Sequence, residues 1–92
     1  MRVLSLVGAG QVKITVRLFA LAKQLANEDT LVVSVPDPAT VRDVRRAIGE
    51  VCPALAGLMG QTLIAVDSEY AQDETPVSGQ SEVACIPPVS GG

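Results

Sequence analysis

One segment constrains this chain more than any other. Thr40 has the character of a helix N-cap, and Asp43 at the third helical position resembles the acidic end of a capping box. Behind them Val41, Val44, Ile48, Val51 and Leu55 recur at helical spacing. The spacing predicts one main helix over residues 41–51, with its apolar stripe on a sheet. Pro53 ends it, because its ring and missing N–H cannot continue the ladder. Arg42, Arg45 and Arg46 fall on the polar side, as a solvated face or as a contact for an acidic partner.

The rest of the chain supplies the sheet. Val12, Ile14, Val16 and Leu18 alternate with Lys13, Thr15 and Arg17, the period of a strand with one wet face. Residues 20–26 are good helix formers, and Leu21 and Leu25 share a face of a short helix ending near Asn27. Thr30 to Val35 is β-branched and stops at Pro36-Asp37-Pro38. Residues 54–60 form a loop or one helical turn, and Thr62 to Val66 a third strand. Asp67-Ser68-Glu69-Tyr70 has turn chemistry, a short pairing segment falls near Val77, and Glu82 to Ile86 is the last clear strand. This order gives an α+β domain: a mixed sheet with one main helix packed across it. Among such layouts the pattern favours the β-grasp, or ubiquitin-like, arrangement over a ferredoxin-like split βαβ.

Composition narrows the chemistry. With 92 residues there is room for one core, and 48% hydrophobic residues argue against disorder. One Phe, one Tyr and no Trp make that core aliphatic. The absence of His removes His-based triads, the usual imidazole base and nearly every His-containing metal site, so no metal is expected. A net charge of −3 and a pI near 4.7 disfavour nucleic acid. Cys52 and Cys85 lie in apolar runs without a paired-ligand spacing, which fits two buried, reduced thiols in a cytoplasmic protein. The apolar run at the N-terminus is broken by Ser5 and is too short for a secretory signal, and no run is long enough for a membrane span. Gly8-Ala9-Gly10 reads as a linker, not a phosphate loop. The expected organisation is an N-terminal extension over residues 1–11, a folded body over 12–86 and a tail over 87–92.

That tail is Pro87-Pro88-Val89-Ser90-Gly91-Gly92. Neither proline donates a ladder bond, so the sheet must end at about Ile86. Six residues at a polyproline rise of ~3.1 Å reach roughly 19 Å. Gly91 and Gly92 carry no side chains, so such a tip can thread a narrow channel and present a C-terminal carboxylate.

Three stretches, in order, carry a resemblance: Val16-Arg17-Leu18-Phe19-Ala20, then Ala65-Val66-Asp67-Ser68-Glu69-Tyr70-Ala71, then Glu82 through the closing Pro-Pro-Val-Ser-Gly-Gly. The chain resembles the ubiquitin-like sulfur carriers typified by the small subunit of molybdopterin synthase, from about residue 12 to the end. It departs from the family's pattern at Asp67, where Asn is usual, and at Cys85, where an aromatic is common. Gln80-Ser81 replaces a Gly-Asp pair, and Lys23-Gln24 an Arg-Glu pair.

The resemblance implies that the working group is the carboxylate of Gly92. A partner adenylyltransferase of the E1-like kind uses ATP and Mg²⁺ to form a glycyl adenylate, and a sulfur donor converts it to a thiocarboxylate. The thiocarboxylate enters the large synthase subunit and gives sulfur to cyclic pyranopterin monophosphate, building the dithiolene of molybdopterin in molybdenum cofactor biosynthesis. The implied assembly is a heterotetramer of two large and two small subunits. The small chain binds no permanent cofactor and brings no catalytic side chain of its own. Pro87, Pro88, Val89, Ser90 and Gly91 would form the tail that enters the partner's channel. Phe19 is a core aromatic or a docking contact, and Tyr70 a core edge or an exposed contact. Three alternatives stand beside this: a carrier for thiamine, cysteine or tungsten-cofactor synthesis, a ubiquitin-like modifier conjugated through Gly92, and a plain interaction domain with an idle tail.

Overall fold

The computed structural model describes residues 10–88. Val89, Ser90, Gly91 and Gly92, and residues 1–9 of the expected N-terminal extension, lie outside the described residues. The strands are β1 (Gln11–Leu18), β2 (Thr30–Pro36), β3 (Ala39–Thr40), β4 (Leu63–Val66), β5 (Glu69–Ala71), β6 (Pro76–Val77) and β7 (Val83–Ile86). The helices are α1 (Ala20–Ala26), α2 (Val41–Val51) and α3 (Pro53–Ala56), followed by a 3₁₀ turn at Met59–Gln61.

Five strands form the main sheet in the order β2-β1-β7-β4-β5, and β3 pairs with β6 in a two-stranded annex. β1 runs parallel to β7, while the other pairings are antiparallel. A parallel central pair with one long helix across the sheet is the β-grasp layout, and it displaces the ferredoxin-like alternative.

α2 spans the expected residues. The Asp43 carboxylate accepts from the Thr40 N–H at 2.9 Å and from the Thr40 hydroxyl at 3.2 Å. Two further N–H groups of its first turn, at Val41 and Arg42, donate to the carbonyls of Thr75 and Asp73. These bonds satisfy donors that a helix start otherwise leaves orphaned. Val41, Val44, Ala47 and Ile48 are buried. Each larger side chain among them contributes roughly 1.5–3 kcal/mol relative to exposure.

Val51 departs from the expected stripe and is 52% exposed. The chain turns at Cys52 and Pro53, and Leu55 reaches the core from α3 instead. A Cβ at Gly49 would lie 3.3 Å from the Ala56 Cβ, so glycine allows α2 and α3 to approach this closely.

α1 ends at Asn27, whose left-handed φ of 59° and N–H bond to the Lys23 carbonyl close the helix. Leu21 and Leu25 do share a face, but it is the exposed one. Ala22 makes the buried contact, with Ala26 packed partly beside it. Glu69 to Ala71, expected within a turn and the polar stretch after it, form β5. The turn itself is shorter: Val66 pairs with Glu69, leaving Asp67 and Ser68 as a two-residue loop. Their φ values of 52° and 71° match the left-handed pair that a type I′ hairpin requires.

Candidate functional site

Alternation along the strands sorts side chains onto two faces of the sheet. Ile14, Val16, Leu18, Val33, Val35, Ile64, Val83 and Cys85 point inward and form the core with α2 and α3. Arg17, Ala84, Ala65 and Tyr70 are in register across β1, β7, β4 and β5 on the opposite face. Leu63 pairs with Ile86 on that same face. Phe19 follows Leu18, the partner of Cys85, and therefore falls beside Ile86, tied there by its N–H to the Cys85 carbonyl at 3.2 Å.

The outer face thus has tiers along the strand axis. Phe19, Ile86 and Leu63 form an apolar tier at the end where β7 leaves the sheet. Arg17, Ala84, Ala65 and Tyr70 form the middle tier. Glu82 and Asp67 lie at the far end. A groove of about 360 Å³ joins these tiers, lined by Phe19, Tyr70, Ile86, Arg17 and Glu82 among others. Tyr70 is 72% exposed, Leu63 50% and Phe19 40%. The two aromatic residues singled out from the sequence are therefore surface residues of one patch.

Local geometry holds the patch in place. The Arg17 guanidinium lies over the Phe19 ring, 5.6 Å from its centroid, in a cation–π contact. Ala20, the next residue, takes a φ of 53°. A left-handed alanine costs about 1–2 kcal/mol, and here it allows the chain to turn sharply from β1 into α1 directly after Phe19. At the other end, Asp67 and Glu82 are cross-linked twice. The Asp67 N–H donates to the Glu82 carbonyl at 2.8 Å, and the Glu82 N–H donates to the Asp67 carboxylate at 2.9 Å. The Asp67 side chain is thereby used to fix the hairpin against the residue preceding β7.

The tail begins inside the core. Pro87 continues the inward series of Val83 and Cys85 and is buried, whereas Pro88 is exposed. The two prolines, expected together on the projecting tail, are therefore separated: Pro87 belongs to the core and Pro88 to the surface. The chain passes from core to surface within one residue, beside the apolar tier.

Other candidates take structural roles. Arg45 is not part of a solvated face: one guanidinium nitrogen donates to the carbonyls of Met59 and Thr62, and another to the Asp73 carboxylate at 3.1 Å. It clamps α2 to the segment leading into β4. Arg42 pairs with Glu74 at the surface. Both cysteines are free thiols. Cys85 is buried and Cys52 half-buried. Burial pushes the Cys85 thiol up to about 11, with the Arg45 charge pulling weakly the other way.

The sequence pattern did not single out Leu63, Ala84 and Ile86 as part of the patch, which the buried Ala65 floors. The signal was present: β4 and β7 are apolar at both parities, which a strand with one wet face is not. Among the described residues no cluster of three or more His, Cys, Asp or Glu could hold a metal, and no helix is long and apolar enough to cross a membrane.

A β-grasp body that shows an apolar patch beside the strand leading to a terminal Gly-Gly defines a ubiquitin-like domain. The ThiS family model matches residues 16–92, and the chain belongs to that family. It is 36% identical over 83 residues to the molybdopterin synthase sulfur carrier subunit of Caenorhabditis briggsae, covering 88% of this chain and 99% of that one. With the subunit of the same name from Dictyostelium discoideum it shares 31% over 78 residues, covering 82% and 91%. Among solved structures it is similar to SAMP1 from Haloferax volcanii, with a TM-score of 0.76, 28% identity, and coverage of 87% of this chain and 99% of that one. It also resembles a putative molybdopterin converting factor subunit 1 from Pyrococcus furiosus, at a TM-score of 0.73, 27% identity, and coverage of 85% and 99%.

Proposed function

We infer that this chain works as the sulfur-carrier subunit of a molybdopterin synthase, with the Gly92 carboxylate as the group that carries sulfur. The observation that carries this reading is the placement of the apolar tier. Phe19, Ile86 and Leu63 surround the point where β7 gives way to the tail, so a partner seated there lies where the tail leaves the body. Pro87, buried in the core, fixes where the tail departs. Pro88, Val89, Ser90 and Gly91 then lead the terminus into the partner's channel. The curated relatives carry the same role in their names.

The chemistry follows from the leaving group. A carboxylate cannot expel oxide, so ATP in an adenylyltransferase, with Mg²⁺, first converts it to an acyl-adenylate. Hydrosulfide-level sulfur released by a donor then displaces AMP, its S–C bond forming as the C–O bond to AMP breaks, and leaves a thiocarboxylate. That group is a soft nucleophile at neutral pH, for the reason that thiolates outperform alkoxides. The large synthase subunit supplies the acid–base groups and the pocket for cyclic pyranopterin monophosphate. The small chain carries and delivers, in a heterotetramer of two small and two large subunits in the cytoplasm.

Intact mass spectrometry tests this after incubation with an activating enzyme, ATP and a sulfur source. The expected result is a mass gain equal to exchanging one oxygen for sulfur, absent when Gly92 is deleted. Gly92→Ala or the deletion should abolish sulfur transfer while leaving the folded body unchanged. Full activity of the deletion variant would sink the reading. A second reading, a protein modifier joined to target lysines through Gly92, is favoured by the likeness to SAMP1, whose name stands for small archaeal modifier protein. It predicts high-mass conjugates on a denaturing gel in place of a free thiocarboxylate.

A further inference from the structure

Two exposed charges of opposite sign, Arg17 and Glu82, line the groove of the outer face without an ion-pair partner among the described residues. Every other arginine among them except Arg46 is spent on Asp73, Glu74 or backbone carbonyls. The side chain of Glu82 is equally free, since its backbone alone makes the contacts with Asp67. The two charges occupy different tiers. Arg17 is in register with Ala84, while Glu82 lies two residues earlier, just before β7, about 6.6 Å along the strand axis. The guanidinium is held at the Phe19 end by its contact with the ring. An arginine parked on an aromatic face has its fork of donors partly ordered before binding, which lowers the entropy lost on pairing.

We propose that Arg17 and Glu82 form a charge pair of opposite sign that sets the register of the docked large subunit, which presents a carboxylate over Arg17 and a basic side chain over Glu82 beside the apolar tier. The inference rests on the docking reading of this face given above. Its physical basis is the division of labour at interfaces. Apolar tiers supply affinity but little orientation, because a greasy contact tolerates sliding and rotation. Two charges of opposite sign one tier apart do not tolerate it. A partner shifted by one tier brings its carboxylate against Glu82, and a partner rotated by half a turn brings both charges against like charges. Orientation is consequential here because the tail leaves the body at one end of the patch, beside Phe19, and a rotated partner would place its channel at the wrong end.

The test uses the full chain and the large synthase subunit of the same organism, with affinity and ionic-strength dependence measured by titration calorimetry or surface plasmon resonance. Arg17→Glu and Glu82→Lys should each weaken binding by ~10-fold or more and flatten the salt dependence, with Arg17→Ala and Glu82→Gln intermediate. Thermal melts check that these exposed substitutions leave the fold unchanged. Tyr70→Asp serves as the control for the docking reading. If Tyr70→Asp abolishes binding while both charge reversals leave affinity and salt slope within twofold, the charge register is wrong and the docking face stands. Loss on reversing only one of the two charges equally overturns the paired arrangement. If Tyr70→Asp leaves affinity unchanged, the docking reading itself fails.

Discussion

The two faces of the five-stranded sheet are built from alternate residues of the same strands, and both contain apolar side chains. Ile64 and Leu63 are neighbours on β4, yet Ile64 is 1% exposed and Leu63 50%. On the inner face α2 and α3 cover the aliphatic residues. On the outer face no element of the described chain covers Phe19, Leu63 or Tyr70. The difference shows that hydrophobicity of a strand residue does not assign it to the core: a second layer does. An apolar tier left uncovered where the tail leaves the sheet is the surface on which the proposed partner would sit.

The sharpest way to break this comparison is to truncate the two neighbours separately. Ile64→Ala should cost about 2–5 kcal/mol of stability in urea denaturation, because the cavity it leaves is closed over by the core. Leu63→Ala should change stability by less than ~0.5 kcal/mol and instead weaken binding of the large subunit. Equal destabilisation by both would mean that the outer tier belongs to the core after all.

The same contrast extends to the polar side of α2. Arg45 is used inside the fold, whereas Arg46 is exposed. Arg45→Ala leaves two carbonyls and Asp73 without their donor and should cost about 2 kcal/mol. Arg46→Ala should shift the denaturation midpoint by an amount corresponding to less than ~0.5 kcal/mol.

A smaller effect separates the inner face by pH. The Cys85 thiol is raised from 9.0 to about 11 by burial. Above the unfolded value the unfolded chain has lost its proton while the folded chain retains it, so stability falls as pH rises. By about pH 10 the loss should reach about 1.4 kcal/mol, continuing until the folded group itself titrates. Urea midpoints measured between pH 8 and 10.5 check this against Cys85→Ala, which should lack this component of the slope. Identical slopes would place the thiol in contact with solvent.

Much of the architecture could be read directly from the residues. The capping pair Thr40 and Asp43 and the stripe Val41, Val44 and Ile48 located α2 to the residue, because capping and helical period are local properties. The alternation of Val12 to Leu18 located β1 within one residue. β5 escaped because three residues with a turn before them carry too little period to be seen, and its existence depends on pairing with β4. Leu21 and Leu25 were placed together correctly, but which face of α1 meets the sheet depends on where the sheet is. Arg45 read as surface charge because its partners, at Met59, Thr62 and Asp73, are distant in sequence.

The chain's own sequence determined the aliphatic character of the core, the one long helix, the strands rich in β-branched residues and the Gly-Gly pair on which the proposed chemistry rests. These follow from composition and from periods shorter than ten residues. Only the tertiary structure decided that Phe19, Ile86, Leu63 and Tyr70 form one patch, that Pro87 belongs to the core and Pro88 to the surface, and that Arg17 and Glu82 flank the groove. Those relations join β1, β4, β5 and β7 across the sheet, and register between strands distant in sequence is fixed by packing against a shared core, not by any local spacing.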